Sequence, residues 1–214
     1  TAGSIRLSSN FMRSFSPWLL LKLFYPKAVF RIETSEKILY LTFDDGPDPV
    51  STTLILDMLE QKGAKAIFFC SGRKAEMYPE LIKMIKQHGH VVGNHCYNHL
   101  NGLKTPTNKY CEDADRAAGL TSDKIFRPPY GRMKLSQYRL LSRKYRVFMW
   151  DLMSYDYDQK FGAKRTLDFL KAKIRPGSVI VFHDKKSSSA LMILTDFLEF
   201  CKVAGYRFEI PYSL

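Results

Sequence analysis

Four stretches of this chain set carboxylates or imidazoles directly after apolar, strand-like runs. Asp44-Asp45 follows Ile38 to Phe43, and His95 and His99 follow Val91-Val92. Asp151 and Asp156 follow Val147 to Trp150, and His183-Asp184 follows Ser178 to Phe182. In parallel α/β folds, functional groups stand just beyond the carboxyl ends of strands. Two histidines and a carboxylate supply three protein ligands and leave one position for water, which is the pattern of a catalytic zinc-type site. A second carboxylate beside the liganding one can act as general base on the bound water. A histidine at another strand end can act as general acid. Together these are the parts of a hydrolase.

Each part also has a plainer reading. Asp45-Gly46-Pro47 is a turn sequence, because Asp and Gly both favour turns. His95-x-x-x-His99 puts two imidazoles on one face if the segment is helical, but the pattern also arises by chance. His183 alone would be a structural histidine. His88 and His90 flank Gly89 at a helix end, where the expectation is a solvated imidazole beside the C-terminal dipole. They are set apart from the site.

The elements that must position these groups alternate from Ile38 onward. Strands are expected at Ile38 to Phe43, Ala66 to Cys70, Val91-Val92, Val147 to Trp150, Ser178 to Phe182 and Tyr206 to Ile210. Helices are expected at Ser51 to Lys62, Pro79 to His88, Asn108 to Ala118, Lys134 to Lys144, Lys164 to Ile174 and Ala190 to Val203. In the first of these, Leu54, Leu56, Met58 and Leu59 have helical spacing. In the second, Leu81, Ile82 and Ile85 share a face. The β-α-β-α rhythm with short connections predicts a parallel sheet covered by helices in one α/β domain. No glycine-rich phosphate loop and no internal repeat occurs.

Composition sets the outer bounds. The chain has 214 residues, enough for one domain with a substantial core, and its 45% hydrophobic and 25% charged content is ordinary for a globular protein. Lys plus Arg is 33 and Asp plus Glu is 21, a net charge of +12, of which +8 falls between Arg132 and Arg175. That basic stretch suits an anionic cell-wall polymer or lipid surface. No nucleic-acid-binding motif accompanies it, so nucleic acid is not expected as a partner. Cys70, Cys96, Cys111 and Cys201 have no CxxC spacing and read as reduced thiols.

Near the N-terminus, Phe11 to Phe24 is apolar but interrupted by Arg13 and Lys22, and its unbroken core, Trp18 to Leu21, is too short to span a bilayer. It reads as a short amphipathic helix, with Ser16 as N-cap and Pro17 in its first turn, that packs on the domain and leaves peripheral membrane contact open. Residues 1–37 are expected to form this extension and residues 38–214 the main domain. With no clear signal peptide, the expected place is cytoplasmic or membrane-peripheral rather than secreted.

TFDDGP at Thr42 to Pro47, HCYNH at His95 to His99, RPPYG at Arg127 to Gly131 and VIVFHD at Val179 to Asp184 resemble, in this order, motifs of the polysaccharide deacetylase family with the NodB homology domain (carbohydrate esterase family 4). The resemblance spans Ile38 to Ile210. It implies a distorted (β/α) barrel of seven rather than eight strands. The implied activity is removal of acetyl groups from N-acetylglucosamine-type glycans with a divalent metal, zinc first, with cobalt or nickel as alternatives. It implies Asp44 as catalytic base and Asp45, His95 and His99 as metal ligands. Arg127 would orient the base, Tyr130 would offer a backbone N–H to the oxyanion, and His183 would be the general acid paired with Asp156. Tyr157, Val181 and Trp150 would line the substrate pocket.

Tyr157 stands where the family usually has Trp, Met153 where many members have Asp, and Cys96 where Ser or Thr is commoner. Cys96 reads as a bystander rather than a soft ligand. The alternatives are an acetylxylan-type ester deacetylase and a catalytically silent glycan-binding relative. Two histidines and a carboxylate also form non-haem iron sites, but those sit on all-β folds, unlike this β/α alternation.

Overall fold

The computed structural model describes residues 18–211. The expected capping residues Ser16 and Pro17 lie outside them. Helix α1 (Trp18–Phe24) leads to β1 (Ile38–Asp44), α2 (Ser51–Gln61), β2 (Ala66–Cys70), α3 (Gly72–Met77), α4 (Pro79–Gln87) and β3 (Val91–Asn94). After these come α5 (Thr107–Ala118), β4 (Ile125–Phe126), α6 (Leu135–Leu141), β5 (Arg146–Val147) and β6 (Leu152–Met153). The chain finishes with α7 (Ala163–Lys173), β7 (Val179–His183), α8 (Ala190–Val203) and β8 (Arg207–Phe208). Seven strands pair in the order β5-β4-β3-β2-β1-β7-β6, with β8 beside β1, and every ladder is parallel. The result is the expected single α/β domain, a curled, distorted β/α barrel.

Strand alternation sorts the side chains into two sets. On β1, Leu39, Leu41 and Phe43 face out and join Ile180, Phe182, Phe68 and the inner stripe of α8 in the largest core cluster. That stripe (Ala190, Ile193, Leu194, Phe197, Leu198, Cys201) repeats at three and four residues, as an amphipathic helix requires. The other set points into the barrel, where Ile38, Tyr40 and Val179 fill its floor. Ile67, Phe69, Ile125 and Phe148 form the next cluster. Above them, at the carboxyl ends of the strands, the inward positions turn polar. These are Asp44 on β1, His95 just past β3, Arg127 just past β4 and His183 on β7.

The seam between β5 and β6 is covered by the chain preceding β1. Val29 bridges Phe148 in parallel and Arg31 bridges Ser178 in antiparallel sense. Ala28 and Phe30 are buried with Tyr138, Leu141 and Val147, and Leu21 of α1 packs against the same cluster.

Some local expectations are corrected. In α2 it is Ile55, not Leu54, that joins Leu56 and Leu59 inside, and Leu54 is exposed. Helix α3 and the two-residue strands β4 and β6 are additions, and the strand expected over Val147 to Trp150 shrinks to Arg146–Val147. His90 is not solvated. It is buried, its Nδ1 accepts the Ala66 N–H at 3.2 Å, and its ring lies 5.5 Å from that of Phe68. Burial brings its pKa down to about 4, so it is a neutral core histidine. His88 does sit at the helix end, bonded through Nδ1 to the Met84 carbonyl.

Candidate active site

The metal-type cluster is built on tight turns. Asp45 leaves β1 with φ 74°, and His99 closes the second loop with φ 56°. Residues 95–99 are not helical, contrary to the helical condition on HxxxH. Cys96 has φ 60°, and the turn this makes brings the two rings to 5.0 Å between centroids. Asp45 Oδ1 lies 2.9 Å from His99 Nε2 and 3.6 Å from His95 Nε2. One ligand atom from each of the three residues falls within 4.8 Å of the other two.

The protonation states suit a cation. His95 Nδ1 is 2.8 Å from the Arg127 carbonyl, which can only accept, so this nitrogen carries the proton and Nε2 presents a lone pair. Burial takes the His95 pKa down to about 4, which keeps the ring neutral. For Asp45, burial pushes the carboxyl up, but the His99 hydrogen bond and the surrounding imidazoles outweigh it and hold the group well below the usual carboxylate range. Lys185 Nζ lies 3.4 Å from Asp45 Oδ2, so Oδ1 is the oxygen turned to the imidazoles. Lys74 donates to the Asp45 carbonyl at 2.8 Å. A carboxylate oxygen and two imidazole nitrogens are a sound donor set for a borderline divalent ion.

Asp44 points into the barrel beside this cluster. Its Oδ1 accepts from Arg127 Nη1 at 2.7 Å. Arg127 is wholly buried. Nη1 also donates to Thr42 Oγ1 at 2.6 Å and Nη2 to the Met149 carbonyl at 2.8 Å. Its guanidinium lies 4.2 Å from the Phe69 ring centroid, and among the described residues Nε has no hydrogen-bond partner. Burial lowers the Arg127 pKa, and the Asp44 carboxylate opposes that. Room for Phe69 comes from Gly93, where an added Cβ would stand 2.5 Å from the Phe69 ring.

On the neighbouring strand, His183 is the register partner of Asp44, so both side chains rise from the same face. Its Nδ1 is 2.7 Å from Asp156 Oδ1, and its backbone N–H donates to Asp156 Oδ2 at 2.7 Å. Ser154 and Ser188 also donate to this buried carboxylate. Burial alone would lower the His183 pKa, yet the bond to Asp156 and its charge raise it. Burial alone would raise Asp156, yet the His183 and serine hydrogen bonds lower it.

The remaining sequence-predicted residues fall around these groups. Tyr130 has φ 60°, and its exposed ring stands 4.6 Å from that of His99. Tyr157 is half exposed, with its ring 5.0 Å from His183. Trp150 lies against Gly131, where an added Cβ would be 2.3 Å from the indole. Val181 is fully buried on β7 opposite Thr42, two residues before His183 on the same inward face. Cys96 is buried with Tyr110 and Phe126, away from the ligand atoms. Asp151 belongs elsewhere, where it holds Arg175 and the Val179 N–H.

Residues that the sequence reading gave no role are Thr42, Lys74, Lys185, Asp184 and the two serines. Asp184 is buried, accepts from Ser51 and Thr52 at 2.6 Å, and receives the close approach of Gly46. Burial pushes its pKa up to about 6. Thr42 and Asp184 lie inside the conspicuous motifs. Ser154, Ser188 and the lysines carry no local signal.

The polysaccharide deacetylase profile matches residues 31–146. The chain belongs to the polysaccharide deacetylase family. A peptidoglycan-N-acetylglucosamine deacetylase of Bacillus cereus is 36% identical over 151 residues, 67% of this chain and 54% of that protein. The chain therefore spans about half the length of that relative. The crystal structure of the Bc1960 peptidoglycan N-acetylglucosamine deacetylase, 28% identical, superposes with a TM-score of 0.81 over 91% of this chain and 94% of that one. A pseudoenzyme of the same family from Bacillus anthracis has a TM-score of 0.77 at 22% identity, over 85% of this chain and 66% of that one. That likeness is one of fold alone.

Proposed function

We propose that this family member is a divalent-metal-dependent N-deacetylase of N-acetylglucosamine-containing glycans, with peptidoglycan as its first candidate substrate and chitin oligosaccharides next. The observation that carries the reading is the pairing, on adjacent strands, of Asp44 with His183 beside the Asp45-His95-His99 donor set. Zinc is the first candidate for the ion, with cobalt or nickel as alternatives. When bound, it would lower the pKa of a water and polarise the amide carbonyl.

The other steps belong to side chains. Asp44, held by Arg127, accepts the proton of the attacking water. The Tyr130 turn offers its backbone N–H to the oxyanion, a donor worth about 3 kcal/mol in such sites. His183, whose pKa the Asp156 carboxylate raises, passes a proton to the departing sugar amine. Tyr157 and Trp150 wall the space over which the acetamide enters. The names of the relatives support peptidoglycan. An ester substrate would use the same groups without the need to protonate an amine, and would tolerate loss of His183 better.

The test is acetate release from N-acetylglucosamine oligomers, peptidoglycan and acetylated xylan, after chelation and after zinc, cobalt or nickel add-back. Metal-dependent release from the amide substrates is expected. No release from any of them by metal-loaded protein would leave a silent glycan-binding relative. Release from xylan alone would establish the esterase.

A further inference from the structure

Two segments of the chain contain no acidic residue. Residues 18–32 carry Lys22, Lys27 and Arg31, and residues 132–150 carry six cations from Arg132 to Arg146. Although far apart in sequence, they pack together. The Tyr25 hydroxyl donates to the Met133 carbonyl at 2.7 Å, the Lys27 N–H donates to the Tyr138 hydroxyl at 2.8 Å, and the two tyrosine rings meet edge-on at 4.9 Å. Between them lies an open groove of about 520 Å³ lined by Pro26, Lys27, Tyr138, Arg139, Ser142 and Arg143.

Some cations of these segments are tied inward, Arg31 to the Pro176 carbonyl, Lys134 to that of Thr105 and Lys144 to Asp115. Lys22, Lys27, Arg139 and Arg143 are exposed and form no ion pair among the described residues. Beside them, large apolar side chains project into solvent. Leu23 is 76% exposed, Phe24 59% and, on α6, Leu140 45%.

We propose that this face docks on an anionic lipid bilayer. Unpaired cations answer the negative surface of acidic phospholipids, at about 1 kcal/mol for each Lys or Arg near that surface. The projecting Leu and Phe enter the boundary between headgroups and acyl chains. A soluble polyanion would use the cations and leave Leu23 and Phe24 in water, so the mixture of the two side-chain types favours the bilayer. Helix α6 starts close after Gly131 at the carboxyl ends of the strands and runs back toward the start of β5. Arg143 therefore stands close to the start of β5, at the end of that strand opposite the candidate active site. No described helix is long and apolar enough to cross a membrane, so the contact is peripheral.

The experiment is co-sedimentation of the full chain with vesicles of phosphatidylcholine alone or mixed with phosphatidylglycerol, with inorganic polyphosphate as competitor. Binding to the mixed vesicles at least about tenfold tighter than to the neutral ones is expected. Arg139→Glu with Arg143→Glu should weaken it by about tenfold or more. Leu23→Ser with Phe24→Ser should weaken it too, while both variants keep the wild-type melting temperature and acetate release from soluble substrate. Equal binding to both vesicles, no binding, or wild-type binding by the charge-reversed protein would overturn the proposal. So would polyphosphate binding unaffected by the Leu23 and Phe24 changes in a protein that ignores vesicles.

Discussion

The two sides of the barrel are built differently. On one, β7, β1, β2 and β3 run for four to seven residues and hold one another through continuous register. On the other, β4, β5 and β6 are two residues each. The groups proposed to react (Asp44, Asp45, His95, His183) stand on or just past the long strands. The groups that support them or wall the pocket (Arg127, Tyr130, Trp150, Asp156, Tyr157) come from the short ones. A ladder fixes a strand end directly. Short strands fix their side chains through polar contacts instead, and those contacts reach across the barrel. Arg127 ties Thr42, Asp44 and the Met149 carbonyl together, and Asp156 collects His183, Ser154 and Ser188. In the proposed reaction, one side carries the chemistry and the other tunes it.

Substitutions can break this division, and the largest effect should come from the long side. His183→Ala is expected to lower the turnover of amide substrates by about 10²–10⁴-fold, the usual share of a general acid, with metal content unchanged. Equal metal content and near-normal turnover would remove His183 from the mechanism. On the short side, Arg127→Met strips a buried carboxylate of its partner and should cost about 3–5 kcal/mol of unfolding free energy in denaturant titration. Arg127→Lys should not restore it, because one ammonium cannot make the three planar contacts.

A smaller loss is expected of Gly93→Ala. The new Cβ would crowd Phe69 beneath the Arg127 guanidinium, an overpacking worth about 1–3 kcal/mol in thermal or chemical unfolding. A variant as stable as the wild type would show that the layer under Arg127 can give.

Asp156→Asn should move a pH profile more than a rate. His183, raised by its partner, contributes stability that is complete below the ordinary histidine pKa and is lost as pH climbs through the raised one. Asp156, lowered by the same contact, contributes above its ordinary value and is lost as pH falls through the lowered one. The pair therefore stabilises the fold across the mildly acidic window between those limits. Without the carboxylate, the alkaline limb of the acetate-release profile should shift to lower pH. An unmoved limb would mean that another group sets it. Least of all should change in Tyr130→Phe, since its proposed role is a backbone N–H; an effect beyond about tenfold would give the hydroxyl a share of the transition-state binding.

The same asymmetry decided what the sequence could tell. Ile38 to Phe43, Ala66 to Cys70 and Ser178 to Phe182 announce themselves as apolar runs, because a strand buried on both faces has no other composition open to it. The polar residues that end them are conspicuous for that reason. Ile125–Phe126 and Leu152–Met153 are too short to show any period. The Asp44, Asp45, His95, His99 and His183 positions were legible as a set. How His95 and His99 meet was not, since the loop depends on positive φ at Cys96 and His99 rather than on a helical repeat. Lys185 and Ser188 reach the site from a segment whose composition says only that it is a loop. Their contacts exist through tertiary placement alone.

In the proposed mechanism Asp45 holds the metal while its neighbour Asp44 performs proton transfer. Metal content and acetate release, measured on the same zinc-loaded samples of wild type, Asp44→Asn and Asp45→Asn, test it most directly. Asp44→Asn should keep its metal and lose release, whereas Asp45→Asn should lose both. Release undiminished in metal-loaded Asp44→Asn, or metal retained in full by Asp45→Asn, would contradict it.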